Sequence, residues 1–170
     1  MSPGIAAVLG SKPEALITAA GQVVESVSNV DVQIASGRTQ FADLDTKWTG
    51  TAAEAAQVSG EEMIGDQVIY RDKLSALEKQ LNHYGASLRD IRKELSDLVT
   101  SGEAGYFDIS DDGTVTPGWR LLAWGALSPR NAMEVNIRRL QLQTKIQTAL
   151  DKFDAADKAA AGAIRTANRS

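Results

Sequence analysis

Apolar residues recur every three or four positions along most of this chain. In the first third, the row consists of Ile17, Ala20, Val24, Val27, Ile34, Phe41, Leu44 and Trp48. Such spacing places its members on one face of a helix. Ser11, Pro13 and Glu14 form a helix start pattern. The sequence therefore predicts a helix from about Lys12 to Lys47, and the Gly- and Pro-containing residues 1–10 are expected to be loosely held.

A second, longer helix is predicted after the tripeptide Trp48-Thr49-Gly50. Thr51 followed by Glu54 repeats the capping pattern, in which the Thr hydroxyl accepts a hydrogen bond from the Glu amide. Downstream, alternating steps of four and three residues connect Tyr70, Leu74, Leu77, Leu81, Tyr84, Leu88, Ile91, Leu95 and Leu98. This heptad seam predicts a helix over 51–99, on the order of 70 Å long. The short link makes the two helices antiparallel neighbours.

Helical periodicity is interrupted between residues 100 and 128. Asp112-Gly113 is a strong turn pattern between two short extended pieces, which predicts a β-hairpin. Gly118–Leu127 is a short amphipathic segment that contains Trp119 and Trp124. The two tryptophans either anchor this segment onto the helices or present an apolar patch to a partner. The anchor is favoured because an exposed aromatic pair promotes association.

The last predicted helix begins at Ser128-Pro129, with Ser as the cap and Pro at the first position. It extends to about Ala167 and carries two heptad rows, which are Val135, Leu142, Ala149, Ala156 and Ala163, and Ile146, Phe153, Ala160 and Ala167. The predicted fold is all-α, an antiparallel bundle of three long helices with a short β-hairpin and a short helix between the second and third. It forms a single domain, with segments 11–99, 100–128 and 129–168.

Length, charge and composition narrow the function. The chain has 170 residues and a formal net charge of −4, which opposes nucleic-acid binding. It contains no cysteine, so disulfides and thiolate metal sites are excluded. The longest run of apolar or glycine residues, Leu121–Leu127, is far shorter than the roughly 20 residues of a membrane span. Ile5–Leu9 is too short for the apolar region of a secretory signal peptide.

Candidate catalytic and metal-binding residues are few. His83 is the only histidine, and no pairing of a nucleophile with a base is evident, so neither an enzyme nor a cofactor is expected. Asp108, Ser110 and Asp112 follow the first half of an EF-hand loop. The twelfth position of that loop is Trp119 instead of Glu, so a hairpin turn without metal is predicted.

The two predicted helices joined by Trp48-Thr49-Gly50 resemble the WXG family, the helical-hairpin substrates of type VII (ESX) secretion. The resemblance covers Ser11 to about Thr100. The remainder is similar to the longer WXG-like N-terminal modules of actinobacterial secreted effectors, in which an Asp-Gly-Thr-Val turn and an Ala/Asp-rich helix follow the hairpin. Here these parts are residues 112–115 and 150–160. The resemblance implies a secreted substrate, or the delivery domain of a larger effector, that acts by helix–helix recognition.

A second mark of the family is a Tyr-x-x-x-Asp/Glu export motif, which this chain lacks. Each of its three tyrosines is followed, four residues on, by Leu or Ser. The nearest substitute is Phe153 with Asp157, which could form one composite surface with Trp48 and Gly50. The simpler interpretation, a core Phe in its heptad row and a solvated Asp, is favoured. A partner could also carry the missing motif.

The resemblance implies a small helical WXG-like protein, a secretion ATPase or a chaperone as the partner. It also implies a secreted or cell-surface location reached through type VII secretion, with residence in the cytoplasm before export. The competing hypothesis is a cytoplasmic structural or adaptor bundle that dimerises through the seam at 70–98. The favoured hypothesis has this seam buried under the third helix of the same chain, and the alternative has it buried against a second copy.

Overall fold

The structure, a computed structural model, describes residues 1–101 and 103–169. Its elements are α1 (Ile5–Gly10), α2 (Glu14–Lys47), α3 (Thr51–Thr100), a 3-10 turn (Ala104–Tyr106), β1 (Phe107–Ile109), β2 (Val115–Pro117), α4 (Trp119–Gly125) and α5 (Pro129–Arg169). The all-α prediction is confirmed, with a hairpin and a short helix between the second and third long helices. No helix in the described ranges is long and apolar enough to cross a membrane.

The chain divides into two compact units. The first unit comprises residues 1–14 and 84–160, and the second comprises residues 15–83 with the end of α5 from residue 161. The long helices α3 and α5 each contribute to both units, so a unit boundary falls within a continuous helix rather than at a linker.

Within the second unit, α2 and the first part of α3 form an antiparallel hairpin. Near the turn, Nε2 of Gln57 donates to the carbonyl of Phe41 at 2.8 Å. Farther away, the guanidinium of Arg71 meets Asp31 at 3.1 Å. The contacts move away from the turn in step along both helices, which confirms the antiparallel prediction. The buried apolar residues of this hairpin are Ala20, Val30, Ile34, Ala53 and Leu81.

Within the first unit, the end of α3 packs against α5. Seam residues Leu88 and Leu95 are 4% and 0% exposed, so this part of the seam is buried within a single chain. Lys152 on α5 lies 3.6 Å from the carboxylate of Glu94 on α3. The largest fully buried side chains of the unit are Leu95, Ile146, Leu150, Val8 and Val115.

The N-terminal residues form a helix that is fastened to the hairpin. The amide of Ile5 donates to the carbonyl of Asp111, and the amide of Ala6 donates to its carboxylate, both at 2.8 Å. Asp111 therefore supplies acceptors to the free amides at the start of α1. The prediction of a loosely held start was wrong, because the capping residue is distant in sequence. Oγ of Ser11 donates to the Val8 carbonyl at 2.6 Å at the end of α1, and α2 begins at Glu14.

The predicted β-hairpin is confirmed. β1 and β2 are antiparallel, with Phe107 opposite Pro117. Gly113 has φ +86° in the turn, a conformation that favours glycine. The buried amide of Val115 donates to Oε1 of Gln143 on α5 at 3.0 Å. The glutamine side chain therefore provides the hydrogen-bond acceptor for a backbone amide of β2.

The predicted N-terminal caps of α3 and α5 differ in outcome. The amide of Asn131 donates to Oγ of Ser128 at 3.1 Å, which confirms Ser128 as the cap of α5. The amide of Glu54 donates to the carbonyl of Gly50 at 3.0 Å, not to the Thr51 hydroxyl as predicted. The reason is that Thr51 is already the first helical residue, so the acceptor four positions before Glu54 is Gly50.

Candidate partner-binding surfaces

Trp48 lies at the surface of the turn between α2 and α3. Its side chain is 47% exposed, and its amide extends the end of α2 by donating to the carbonyl of Leu44 at 3.0 Å. Gly50 follows with φ +115°, and nothing lies within 4 Å of the position that a Cβ would occupy. Glycine is therefore required by the backbone conformation and not by packing. The turn presents a half-exposed indole, whose apolar body and N–H suit a protein contact.

A close approach of the two helices supports this turn. A Cβ on Gly60 would lie 2.4–2.6 Å from ring atoms of Phe41, so the ring packs where any larger residue would place its side chain. Phe41 belongs to the apolar row of α2 in the sequence, but its contact with Gly60 is not evident there. A glycine in the middle of a predicted helix, where it costs stability, was the available clue.

Phe153 and Asp157 belong to the first unit, whereas Trp48 and Gly50 belong to the second. Phe153 is 9% exposed and buried in the core, as its heptad row predicts. Asp157 is exposed and forms no ion pair among the described residues, whereas nearby Asp154 pairs with Lys158. A composite surface with Trp48 stays a prediction.

The tryptophans of α4 are exposed. Trp119 is 75% exposed and Trp124 is 37% exposed, so the prediction that Trp119 anchors the segment was wrong. The guanidinium carbon of Arg120 lies 5.3 Å from the Trp119 ring centroid, within the range of a cation–π contact. The position of α4 thus leaves an aromatic side chain and a positive charge together on the surface.

Polar backbone contacts, rather than indoles, hold α4 in place. The amide of Gly118 donates to the carbonyl of Tyr106 at 2.9 Å, and a Cβ at Gly118 would lie 2.7 Å from that oxygen. At the other end, Nδ2 of Asn131 donates to the carbonyl of Trp124 at 3.0 Å. These bonds fix the segment without burying any α4 side chain, which is why the anchor prediction failed.

An apolar groove of about 370 Å³ lies between α4 and α5. Its lining residues are Pro117, Leu121, Leu122, Gly125, Ala126, Ala132, Val135, Asn136 and Arg139. α4 lies close to α5 at Gly125, where a Cβ would be in ordinary van der Waals contact with Cα of Ala132 at 3.5 Å. The groove is not evident in the sequence, because it forms only when α4 folds back onto α5.

The acidic pattern at 108–112 is used by the hairpin turn itself. Oδ1 of Asp112 accepts hydrogen bonds from Oγ of Ser110 at 2.7 Å and from the amide of Thr114 at 2.9 Å. These hydrogen bonds lower the pKa of Asp112 below its ordinary value, and the bond from Ser110 has the largest effect. Across residues 1–101 and 103–169, no cluster of three His, Asp or Glu side chains could hold a metal ion. His83 lies on the surface of α3.

The comparisons with known proteins add no assignment to these surfaces. No family model matches the chain, and no match was found among curated proteins or solved structures. The candidate surfaces are therefore defined by geometry and chemistry: the Trp48 turn in the second unit, and the exposed aromatic and apolar face of α4 in the first.

Proposed function

We propose that this chain is a WXG-like helical module of type VII secretion, either a secreted substrate or the N-terminal delivery domain of a larger effector. It acts by presenting helix surfaces to a partner, without catalysis. The observation that carries this proposal is the turn between α2 and α3, where a 47% exposed Trp48 is followed by Gly50 at φ +115°.

The structure of this turn is suited to binding a partner protein. Two long antiparallel helices hold it, and the contact of Phe41 with Gly60 brings them together nearby. A tryptophan presented on a rigid support loses little conformational entropy on binding, and tryptophan is enriched among the residues that dominate interface energies. The exposed half of Trp48 is the part that would contact a partner.

The partner we expect is a small helical WXG-like protein, a secretion ATPase or a chaperone. The chain lacks the Tyr-x-x-x-Asp/Glu motif, and the aromatic ring of its nearest substitute, Phe153, is buried. This burial favours a partner that supplies the export motif. Under this proposal, the protein is made in the cytoplasm and is delivered outside the cell through the type VII system.

The proposal is tested by export from the native host. Trp48→Ala should reduce the amount of protein in the culture medium while its cellular level, helicity and unfolding midpoint stay near those of the natural protein. Tyr106→Ala is the matched control and should leave export unchanged, since it removes an aromatic side chain that is 52% exposed and lies outside both candidate surfaces. Export of Trp48→Ala at the natural level would contradict the proposal.

The alternative, a cytoplasmic adaptor that dimerises through the seam of α3, has less support. Leu81, Leu88 and Leu95 are 7%, 4% and 0% exposed in the single chain. A dimer through these residues would require the chain to open first. No specific observation favours this second function.

A further inference from the structure

We propose that a cavity beside the β-hairpin binds a small zwitterion of the phosphocholine type, in which an alkylated ammonium group and an anionic phosphate belong to one ligand. The cavity lies within the first unit and has a volume of about 590 Å³. Its lining residues are Gly105, Tyr106, Phe107, Asp108, Gly118, Trp119 and Arg120. This binding is independent of the proposed role in secretion.

One backbone hydrogen bond brings the two walls of the cavity together. The amide of Gly118 donates to the carbonyl of Tyr106, and the absence of a side chain at Gly118 permits this approach. Tyr106 and Trp119, which belong to or adjoin the bonded pair, therefore line the same cavity. Both are more than half exposed, so aromatic surface is available to a ligand.

Asp108 supplies a negative charge to the cavity. It follows Phe107 in β1, and successive side chains of a strand point to opposite faces. Because Phe107 is buried, Asp108 lies on the exposed face of the ribbon. Its carboxylate forms no hydrogen bond and no ion pair within residues 1–101 and 103–169, so its charge is free to meet a cation.

Arg120 supplies a positive charge to the same cavity. Its guanidinium lies over the ring of Trp119 and forms no ion pair with any carboxylate that the structure describes. Asp108 and Arg120 thus line one cavity without neutralising each other. A ligand that carries both charges can pair with both side chains at once.

The chemistry of these groups selects the ligand class. Aromatic faces attract quaternary ammonium groups through cation–π contacts, and a neighbouring carboxylate adds an opposite charge. A guanidinium binds phosphate oxygens through two parallel hydrogen bonds. A cation alone would leave Arg120 unpaired, and an anion alone would leave Asp108 unpaired. The cavity lies within the range of about 300–1,000 Å³ that is usual for small-molecule sites.

Titration calorimetry of the full chain with phosphocholine, choline and inorganic phosphate tests this assignment. Phosphocholine should bind about tenfold more tightly than either of its parts, and Trp119→Ala should weaken its binding about tenfold. Asp108→Asn should weaken the binding of both phosphocholine and choline. Arg120→Gln should weaken the binding of phosphocholine and leave that of choline no weaker, because only phosphocholine carries the phosphate.

The chain offers matched controls for each substitution. Asp157→Asn, Arg130→Gln and Trp124→Ala alter exposed side chains of the same types that do not line the cavity, and they should leave binding unchanged. Gly105→Leu tests the cavity itself. A Cβ at Gly105 would meet nothing within 4 Å, so the larger side chain is tolerated and should weaken binding by occupying space at the wall.

Vesicles distinguish the two sources of this ligand chemistry. Sedimentation of the protein with phosphatidylcholine vesicles, but not with phosphatidylglycerol vesicles, would identify a lipid headgroup, whereas binding of free phosphocholine alone would identify a soluble ligand. Tyr106→Ala should weaken binding and leave export unchanged, so this proposal and the proposed function fail separately. The proposal is overturned if phosphocholine does not bind, or if Asp108→Asn and Arg120→Gln bind it as the natural protein does.

Discussion

The aromatic ring of Phe41 on α2 occupies the space that the side chain of residue 60 would fill on α3. At Gly60, a Cβ would lie 2.4 Å from the nearest ring atom, a distance that real Cβ contacts essentially never show. The pair sets how closely the two helices approach beside the Trp48 turn. Gly65, on the same helix, has nothing within 4 Å of its Cβ position. Packing therefore requires a glycine at position 60 but not at position 65.

We expect Gly60→Ala to lower the free energy of unfolding by about 1 kcal/mol, because the cost of overpacking exceeds the gain in helix propensity. Gly65→Ala is the matched control and should raise it by about 0.5–1 kcal/mol. Urea unfolding of both variants measures the difference. In a Phe41→Ala background, Gly60→Ala should become stabilising, and a loss that persists there would show that the ring is not the cause.

The positive φ of Gly50 predicts strain for any other residue. Gly50→Ala should destabilise the protein by about 1–2 kcal/mol, since an L side chain is disfavoured in that region even where space is free. Thermal unfolding measures the change, with Gly162→Ala as the control. Gly162 also has open space around its Cβ position and lacks a positive φ, so that substitution should not destabilise.

The cap that Asp111 provides to α1 can be removed by one substitution. Asp111→Ala deletes the carboxylate that accepts from the Ala6 amide and should cost about 1 kcal/mol. Hydrogen exchange of residues 5–10 should accelerate while exchange in the second unit stays unchanged. Asp108→Ala, in the same hairpin, removes an exposed carboxylate for which no hydrogen bond is seen and should have no such effect. Equal acceleration in both variants would contradict the assignment.

Gln143 fixes the hairpin to α5 through the amide of Val115, a residue with no exposed surface. Gln143→Ala leaves that buried N–H without its acceptor and should cost about 1–3 kcal/mol. Amide exchange at Val115 is the direct measurement. Gln141→Ala, two residues earlier and exposed on α5, should leave that exchange unchanged.

The turn of the hairpin should respond to acid. Hydrogen bonds from Ser110 and Thr114 hold the pKa of Asp112 below its ordinary value of 3.8. A lowered folded pKa means that this stabilising contribution is complete above pH 3.8 and is lost as the pH falls through the lower, folded value. An NMR titration of the Asp112 carboxyl carbon measures that pKa, and Asp112→Asn should remove the transition from the Thr114 amide shift.

Local patterns predicted the elements of this fold. The three long helices, the Asp-Gly hairpin and the Ser128 cap follow from periodicity and capping residues near each other in sequence. Predictions failed where the partner is distant. Asp111 caps a helix more than a hundred residues earlier in the chain, and Gly60 is explained only by Phe41 on another helix.

In the candidate sites, too, local features could be predicted from the sequence and features that depend on distant contacts could not. The exposed Trp48 and its glycine are recognisable in the sequence, because a helix-to-helix turn is a local feature. Periodicity cannot say that Trp119 faces outward, since the bonds that fix α4 involve the backbone of Gly118 and the side chain of Asn131. The groove beside it is lined by residues of both α4 and α5, so it depends on how two separate helices pack, which no linear pattern encodes.

The dependence of α1 on Asp111 gives the protein an order of events during synthesis. The acceptor that completes α1 emerges from the ribosome 105 residues after Ala6, and closing so long a loop is slow compared with forming a local helix turn. Residues 5–10 are therefore among the last of the described elements to find their place. Until the hairpin is made, Ile5 and Val8, which are buried in the folded chain, lack the contacts that bury them, and transiently exposed apolar side chains of this kind favour aggregation.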